Sequence, residues 1–277
     1  MASGDPHRRL IVNADDFGRS PSINRAVLRA HQEGILTTAS LMVNGEAFAQ
    51  AVEMARENPT LGVGLHLTLV CGRSALPAKE IPGLVSPDGS FSDEPVRAGM
   101  NYFFRRSLLP ELRREIGAQF AKFAETGLPL DHVNGHLNLH LHPTIFSLLM
   151  EQAQQWGIRT VRLTRDPLGL NLRLSRGRWA YRLSHALVFG VLSSWAKPRL
   201  AQQGLKHTRH VFGLLQTGAV DEKYLLPLLA RLPEGDSELY SHPCLEKFKA
   251  ELDALLSPTA RALVQERQIQ LIRYQDL

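Results

Sequence analysis

The chain reads RLIVNADDFG at residues 9–18, where an apolar run of strand length ends in two adjacent carboxylates and a glycine. Neighbouring carboxylates at the end of a buried strand repel each other and are costly to desolvate. If a fold keeps both carboxylates, we expect one of them to bind a cation and the other to remain free for acid–base chemistry. The segment alone also allows a turn in which Asp15 and Asp16 only cap the helix that starts near Ser22, because Asp is a common capping residue.

Histidines in two further strand-like segments favour a cation site over a simple helix cap. One is His66, inside the alternating apolar pattern LGVGLHLTL at 61–69. The other segment, DHVNGHLNLHLHP at 131–143, holds histidines or asparagines at every second position from 132 to 142. If it stays extended, one of its faces is entirely polar, which is unexpected in a core unless that face lines a site. Imidazoles and carboxylates at strand ends are typical ligands of a divalent cation.

Apolar strand-like segments alternate with helical patterns along most of the chain, which predicts an α/β fold with a parallel sheet and crossover helices. The predicted strands cover residues 9–13, 38–43, 62–69, 132–134, 160–163, 211–214, 238–241 and 269–273. The predicted helices cover residues 22–33, 47–57, 109–125, 143–155 and 244–256. A chain of 277 residues with 44% hydrophobic content has the size of a single α/β barrel. We therefore expect one domain over residues 1–277.

Several classes of protein are not expected from the composition. Residues 1–9 are polar with two arginines, and no apolar run reaches the length of a membrane span, so neither a secretory signal nor a transmembrane helix is expected. The protein is therefore predicted to act in the cytoplasm.

Cys71 and Cys244 are predicted to be free thiols. A stretch rich in Pro, Gly, Ser and Asp at 77–95 predicts a long loop that could cover the site.

Positive charge is concentrated in one segment. The chain has a formal charge of +5, but residues 162–210 hold ten Lys or Arg against one acid, which makes that segment +9 and leaves the remainder at −4. The same segment contains Trp179, Trp195 and the apolar run ALVFGVL at 186–192. We hypothesise a basic apolar helical insertion at about 165–210, in which 168–205 touches the membrane. The alternative is an ordinary helix pair with its arginines in solvent; no nucleic-acid-binding motif accompanies the charge, so no nucleic acid is expected.

Four motifs occur in the order in which the YdjC-like family of carbohydrate deacetylases has them, and the chain resembles that family over most of its length. They are NADDFG at 13–18, GLHLT at 64–68, the cluster around His136, and ELYSHP at 238–243. The resemblance implies a distorted (β/α) barrel, like that of the polysaccharide deacetylase and glycoside hydrolase superfamily, with one divalent metal. By motif position it implies metal ligands at Asp16, His66 and His136. It also implies that Asp15 is the general base and His242 the general acid.

The cluster around His136 departs from the sugar-dimer deacetylases of that family. Those read DSHHHxH where this chain reads NGHLNLH at 134–140, so an acidic residue is replaced by Asn134 and an imidazole by Asn138. Both changes bear on how the ligands are oriented and what touches the substrate. This form resembles the hopanoid-biosynthesis-associated branch, HpnK. The resemblance implies removal of acetyl from an N-acetylglucosaminyl hopanoid, a sugar carried on a polycyclic lipid. With such a substrate, the segment at 168–205 could also guide the lipid-linked sugar to the metal.

The ligand types leave the metal open. Two histidines favour a transition metal such as Zn²⁺, whereas a carboxylate with open water positions would allow Mg²⁺. Other functions also stay open on the residues alone. They are deacetylation of soluble N-acetylglucosamine oligosaccharides, hydrolysis of an ester or phosphoester by a different metal enzyme, and non-catalytic binding of a lipid or sugar. The oligomeric state is unknown from the sequence.

Overall fold

The computed structural model describes residues 8–277, so the expectation of no signal at 1–9 falls mostly outside the described residues. Its centre is a parallel sheet with the strand order β4-β3-β2-β1-β6-β5, and β7 pairs with β1. The strands are β1 (Arg8–Phe17), β2 (Thr38–Leu41), β3 (Gly62–Leu67), β4 (Val133–Gly135), β5 (His210–Phe212), β6 (Gly235–Ser241) and β7 (Gln270–Leu271). The sheet curls into a half-barrel, which confirms the predicted α/β class.

Helices connect the strands and cover the outside of the sheet. They are α1 (Pro21–Glu33), α2 (Phe48–Glu57), α3 (Pro95–Phe104), α4 (Leu109–Ala124), α5 (Pro143–Gln152), α6 (Leu168–Leu174), α7 (Trp179–Gln202), α8 (Glu222–Ala230), α9 (Lys249–Leu256) and α10 (Pro258–Glu266). The sequence did not predict α3, α8 or α10. Two helices, α6 and α7, lie in the segment predicted as an insertion at about 165–210. The division of the chain into one domain stays a prediction.

Two predicted elements differ in the structure. The strand predicted at 160–163 is reduced to single parallel bridges, from Val161 to Val133 and from Thr160 to Lys206. These bridges join the β4 side of the sheet to the segment before β5, where the half-barrel would otherwise stay open. The segment around His136 does not stay extended beyond Gly135, because His136–Leu141 forms a 3₁₀ turn. The chain turns there with Leu137 and Asn138 at positive φ, a conformation that Asn tolerates well.

The strand β1 shows how the core and the polar interior are separated. Leu10, Val12 and Ala14 belong to the main hydrophobic core, whereas Ile11 packs at the other side with Ile272 and Tyr274. Side chains of a strand alternate between its two faces, so Asn13 and Asp15 follow Ile11 toward the interior of the half-barrel. The face that is apolar at one end of the strand therefore becomes polar at its carboxyl end.

Two further expectations concern the surface and the cysteines. Within residues 8–277, no helix is both long enough and apolar enough to cross a membrane. Cys71 and Cys244 are both free, as predicted. Of the predicted loop at 77–95, residues Ala78–Glu80 form a short 3₁₀ turn and the remainder is irregular apart from isolated bridges.

Candidate metal centre

A break in the regular geometry of β1 turns both neighbouring carboxylates toward the interior. Asp16 has a φ of 65°, and the pairing of β1 with β2 shifts register between Ala14 and Phe17. Such an irregularity re-aims a side chain that would otherwise point to the opposite face of the sheet. The capping alternative is wrong for the helix that follows, because Ser20 caps α1 by accepting a hydrogen bond from the backbone N–H of Ile23.

Asp16, His66 and His136 converge at the carboxyl ends of three strands. One ligand atom from each lies within 4.8 Å of the others. Asp16 Oδ1 is 3.0 Å from His136 Nδ1 and 3.3 Å from His66 Nε2. All three residues are buried. The structure therefore brings together the three side chains that the sequence predicted as metal ligands.

The donor atoms in this cluster fit a divalent cation. Asp16 Oδ1 and His66 Nε2 are buried and make no hydrogen bond among the described residues. The other oxygen of Asp16, Oδ2, accepts a hydrogen bond from Arg19 at 2.9 Å, which leaves Oδ1 for a ligand. Burial opposes ionisation of Asp16, yet His136 and His66 hold its pKa well below the usual range. Two imidazoles and one carboxylate make a donor set typical of Zn²⁺, and Mg²⁺ would also accept the oxygen.

Asn134 orients one ligand and contacts the predicted base. Its Oδ1 accepts a hydrogen bond from His66 Nδ1 at 2.7 Å, which leaves His66 Nε2 without a proton and directed at Asp16. Its Nδ2 donates to Asp15 Oδ1 at 3.0 Å. An acidic side chain at 134 could accept the histidine proton but could not donate to Asp15. The replacement noted in the sequence therefore keeps the ligand oriented.

Asp15 is a buried carboxylate held by several donors. Its Oδ1 accepts from Asn13 at 2.9 Å and from Asn134, and Arg162 donates to both oxygens, at 2.7 Å to Oδ2 and 3.0 Å to Oδ1. Burial alone would raise the pKa of Asp15, but Arg162 and His66 hold that pKa well below its usual range. Asp15 is therefore ionised across the neutral pH range, as a general base must be before it accepts a proton.

Arg162 balances two buried carboxylates. Besides Asp15, it donates to Glu238 Oε1 from Nε at 3.0 Å and from Nη2 at 2.7 Å, and its guanidinium lies 4.1 Å from the centre of the Tyr240 ring. The other oxygen of Glu238 accepts from the Tyr274 hydroxyl. Only a planar, forked donor can serve two carboxylates in this way. Arg162 thus fixes the position and the charge of Asp15.

Sequence reasoning missed Arg162 and Glu238 as parts of the site. Arg162 was counted only as part of the basic segment, and it is 147 positions from Asp15 in the chain. The available signal was a single arginine inside an apolar strand-like pattern, next to Val161 and Leu163. Glu238 was quoted as part of a motif, but its place in a charge network could not be seen without the pairing of β1 with β6.

His242 reaches the same site from the end of β6. Its backbone N–H donates to Glu251 Oε2 at 2.6 Å, and its ring lies edge-on to Tyr240, with the ring centres 5.9 Å apart. Together with Asp15 and His66 it lines one cavity. The structure therefore places the predicted acid and the predicted base in one cavity, while the roles of both stay predictions.

That cavity has a volume of about 750 Å³ and two largely apolar walls. One wall is α3 and the other is α7. The apolar lining residues on these helices and on the turn after β4 are Pro95, Val96, Met100, Phe103, Phe104, Leu137, Leu139, Val188 and Phe189. Of the loop predicted to cover the site, only Pro95 belongs to the lining. Asn138, which replaces an imidazole of the sugar-dimer deacetylases, also lines the cavity and accepts from the Thr164 hydroxyl at 2.8 Å.

His140 and His142 flank the site without joining the ligand cluster. His140 contacts the backbone oxygen of Arg162 through Nε2 at 2.9 Å. Burial lowers the pKa of His140 to about 3, so its ring is neutral. The ring of His142 lies edge-on to Tyr102 and lines the cavity.

Comparison with known proteins identifies the family. A family model described as YdjC-like protein matches residues 9–266. A carbohydrate deacetylase from Geobacillus stearothermophilus is 32% identical over 273 residues, which are 97% of this chain and 98% of that protein. A chitooligosaccharide deacetylase from Serratia marcescens is 30% identical over 97% of this chain and 98% of that protein. A crystal structure of a candidate cellobiose-phosphate cleavage protein from Enterococcus faecalis V583 has the same fold, with a TM-score of 0.74 and 24% identity over 98% of each chain. These matches confirm the family predicted from the sequence motifs, and the chain belongs to the YdjC-like protein family.

Proposed function

We propose that this protein removes the acetyl group from an N-acetylglucosaminyl lipid, a glycosylated hopanoid, in hopanoid biosynthesis. The chain is a hydrolase of the carbohydrate deacetylase class, as its full-length relatives are. One observation supports the lipid-linked substrate most strongly: Asp15 and His66, which is one of the three clustered ligands, line a cavity with two apolar helical walls. Apolar walls of this extent offer a hydrophobic group a place beside a reactive centre.

Two side chains of this chain move protons in the proposed reaction. A divalent cation held by Asp16, His66 and His136 supplies Lewis acidity, which polarises a carbonyl and makes water a better acid. Asp15 accepts the proton of the attacking water. Among the described residues its Oδ2 accepts only from Arg162, so this oxygen keeps a lone pair for water. A carboxylate with a lowered pKa is a weak base, which is why the reaction needs acidified water.

The leaving group needs a proton of its own. An amine leaves poorly unless it is protonated, and His242 lines the cavity that Asp15 also lines. An imidazole is the commonest general acid and base in enzymes, so it can give a proton to the leaving nitrogen and recover it from solvent. We assign the general-acid role to His242 on that ground.

The first test is a direct comparison of substrates. Metal-reconstituted protein is incubated with N-acetylglucosaminyl hopanoid or with short N-acetylglucosamine oligomers, and acetate release and product mass are measured, with Asp15→Asn as the control. Release from the lipid supports the proposal. Release from the oligomers alone would keep the reaction and overturn the lipid substrate. Release from neither would overturn the deacetylase proposal.

A soluble N-acetylglucosamine oligosaccharide is the second candidate substrate. It is favoured by the Serratia marcescens relative, whose name refers to chitooligosaccharides and which matches nearly the whole chain. Hydrolysis of an unrelated ester or phosphoester, and non-catalytic binding, have no comparable support among the full-length relatives. The same substrate comparison separates the two deacetylase proposals.

We also propose the place where the enzyme acts and the metal class that it needs. The cytoplasm, at the inner face of the membrane, fits a lipid-linked substrate and the basic segment at 162–210. Activity of the metal-free protein restored by Zn²⁺ or by Mg²⁺ would identify the working metal. Restoration by neither ion would overturn this choice of metals.

A further inference from the structure

The exposed large hydrophobic side chains of residues 8–277 are confined to one part of the surface. They are Val96, Met100, Phe103, Phe104, Leu137, Trp179, Leu183, Leu187, Val188 and Val191. All lie on α3, on α7, or on the turn after β4. The members that line the cavity are Val96, Met100, Phe103, Phe104, Leu137 and Val188. Exposed hydrophobic residues are normally scattered singly over a surface. A concentrated set around one opening marks an interaction surface.

On α7 these side chains form a stripe. Trp179, Leu183, Leu187 and Val191 recur every four residues, a spacing that places them on one side of a helix. Leu183 is 63% exposed and Leu187 is 67% exposed, although each is large and apolar. The stripe therefore runs for about three turns of α7 with no described residue covering it.

A second apolar stripe lies on α3. Met100 lies four residues after Val96, and Phe103 and Phe104 lie three and four residues after Met100; Val96 is 80% exposed. The cavity of the metal centre opens between α3 and α7. The α3 stripe lines this cavity, whereas the α7 residues that line it are Tyr181, His185, Val188 and Phe189. A surface that contacts both stripes therefore spans the two helices on either side of the mouth.

Unpaired basic side chains border both stripes. Arg165, Lys197 and Arg209 line a groove of about 980 Å³ that also contains Leu183 and Leu187 of the α7 stripe. Within the described part of the chain, none of these three cations forms a salt bridge. An acid in the same groove, Asp236, is already paired with Arg9. At the end of α3, the exposed Arg105 and Arg106 follow directly after Phe103 and Phe104.

We propose that α3 and α7 together dock the protein on an anionic lipid bilayer. Apolar side chains with bordering Lys and Arg are typical of helices that lie in the membrane interface, where the chains enter the acyl boundary and the cations meet anionic headgroups. No described helix could span the bilayer instead. Docking in this orientation directs the cavity at the membrane. Delivery of a lipid-linked sugar to the metal centre rests on the proposed function, but docking itself does not.

The charge arm of the test uses matched variants. Full-length protein is floated with vesicles of phosphatidylcholine alone, or of phosphatidylcholine mixed with phosphatidylglycerol. We expect binding to the anionic vesicles that weakens with salt. The variant Arg165→Gln/Lys197→Gln/Arg209→Gln should bind about a hundredfold more weakly, at about fivefold for each cation removed. The control Arg25→Gln/Lys223→Gln/Arg261→Gln removes three exposed cations elsewhere and should bind as the wild type does.

The apolar arm asks whether the stripe enters the bilayer. Leu183→Ser/Leu187→Ser/Val191→Ser should lose vesicle binding with at most a small fall in thermal midpoint, because each of the three side chains is at least 63% exposed. Trp179, which is 61% exposed, should be quenched by brominated lipid, and Trp179→Phe should remove that quenching. Vesicle binding and thermal midpoints are measured without substrate turnover. The docking proposal can therefore be tested even if the protein shows no deacetylase activity.

Three outcomes would overturn the docking proposal. One is failure of the wild type to float with anionic vesicles. Another is equal loss of binding in the two triple Gln variants, which would indicate a general charge effect. The third is a wild-type dimer in light scattering that the triple Ser variant converts to a monomer, because the stripe would then be covered by a second copy of the chain.

Discussion

Asp15 and Asp16 are neighbours in the chain and have different surroundings in the structure. The positive φ of Asp16 lets both face the interior, but Asp16 meets two imidazoles whereas Asp15 meets a guanidinium and two amides. A cation suits the first environment, and a carboxylate that stays free and ionised suits the second.

This difference predicts opposite behaviour of two isosteric variants. Asp15→Asn should lower kcat by at least about a hundredfold, because it removes the base, and should keep metal binding. Asp16→Asn should lose both the metal and turnover, since it removes a ligand. Acetate release under single-turnover conditions measures the activity of both variants. Mass spectrometry measures their metal content. Retained turnover in Asp15→Asn would disprove the base assignment.

Arg162 predicts a pH dependence. Because it holds the pKa of Asp15 below the usual range, a weaker partner should let that pKa rise. The base would then be protonated at higher pH, so Arg162→Lys should lose more of its kcat/KM at about pH 5 than at about pH 8. Glu238→Gln is the control: it removes the second carboxylate but leaves the Arg162–Asp15 pair, and its acidic limb should not move upward. If the pH dependence of kcat/KM is unchanged in Arg162→Lys, Arg162 does not position the base.

His242 predicts a dependence on the leaving group. A general acid matters for an amine and hardly at all for an aryl oxide, which leaves without a proton. His242→Gln should therefore lower hydrolysis of an N-acetyl sugar by about a hundredfold or more and affect an aryl acetate ester much less. The ratio of the two rates, measured on one preparation, checks this. Equal loss with both substrates would indicate a structural histidine.

Sequence patterns predicted the helices and strands whose apolar residues are regularly spaced. They did not predict elements whose conformation depends on residues far away in the chain. The strand predicted at 9–13, which in the structure extends to Phe17, and α1 could be predicted from the pattern of their apolar residues. By contrast, α3 begins at Pro95 after an irregular loop, and most of its large apolar side chains face solvent rather than the core. The turn at His136–Leu141 was hidden because period two in the sequence looks the same whether or not a strand partner exists beyond Gly135.

At the level of elements, Asp166 ties the start of α6 to the segment after β5. Its Oδ1 accepts from Asn171 Nδ2 at 3.1 Å, and its Oδ2 accepts from the backbone N–H of Leu215 at 3.0 Å. Burial raises the pKa of Asp166 to about 7 from a model-peptide value of 3.8. The folded state therefore binds this proton more tightly than the unfolded state does.

The sign of the resulting pH dependence follows from that proton. The stability contributed by protonated Asp166 is present below pH 3.8 and is lost as the pH rises to about 7. In Asp166→Asn this loss should disappear, so the variant should gain stability relative to the wild type by up to about 1.4 kcal/mol per pH unit over that window. Denaturant unfolding of both proteins across the window measures the difference. A difference that does not change with pH would mean that Asp166 is already ionised in the folded protein.

At the scale of the whole molecule, the metal centre joins parts of the fold that are far apart in the chain. Asp16 lies at the end of β1, His66 on β3 and His136 just after β4, with β2 between β1 and β3 in the sheet. A cation bound by these three side chains would hold the carboxyl ends of the three strands together. A ligand that binds only the folded state stabilises it by mass action, by about 2.7 kcal/mol at a concentration one hundred times its Kd.

Metal removal should therefore lower the stability of the whole protein. Chelation should lower Tm by roughly 5 °C, given the usual relation between free energy and Tm for a chain near this size. Adding Zn²⁺ or Mg²⁺ back should restore it. The two carboxylate variants serve as matched controls, because Asp15→Asn keeps the three ligands and should respond as the wild type does, whereas Asp16→Asn should not respond. A wild-type Tm that is unmoved by chelator and by either ion would show that the cluster of Asp16, His66 and His136 holds no structural cation, and the mechanism proposed for Asp15 would then lose its source of acidified water.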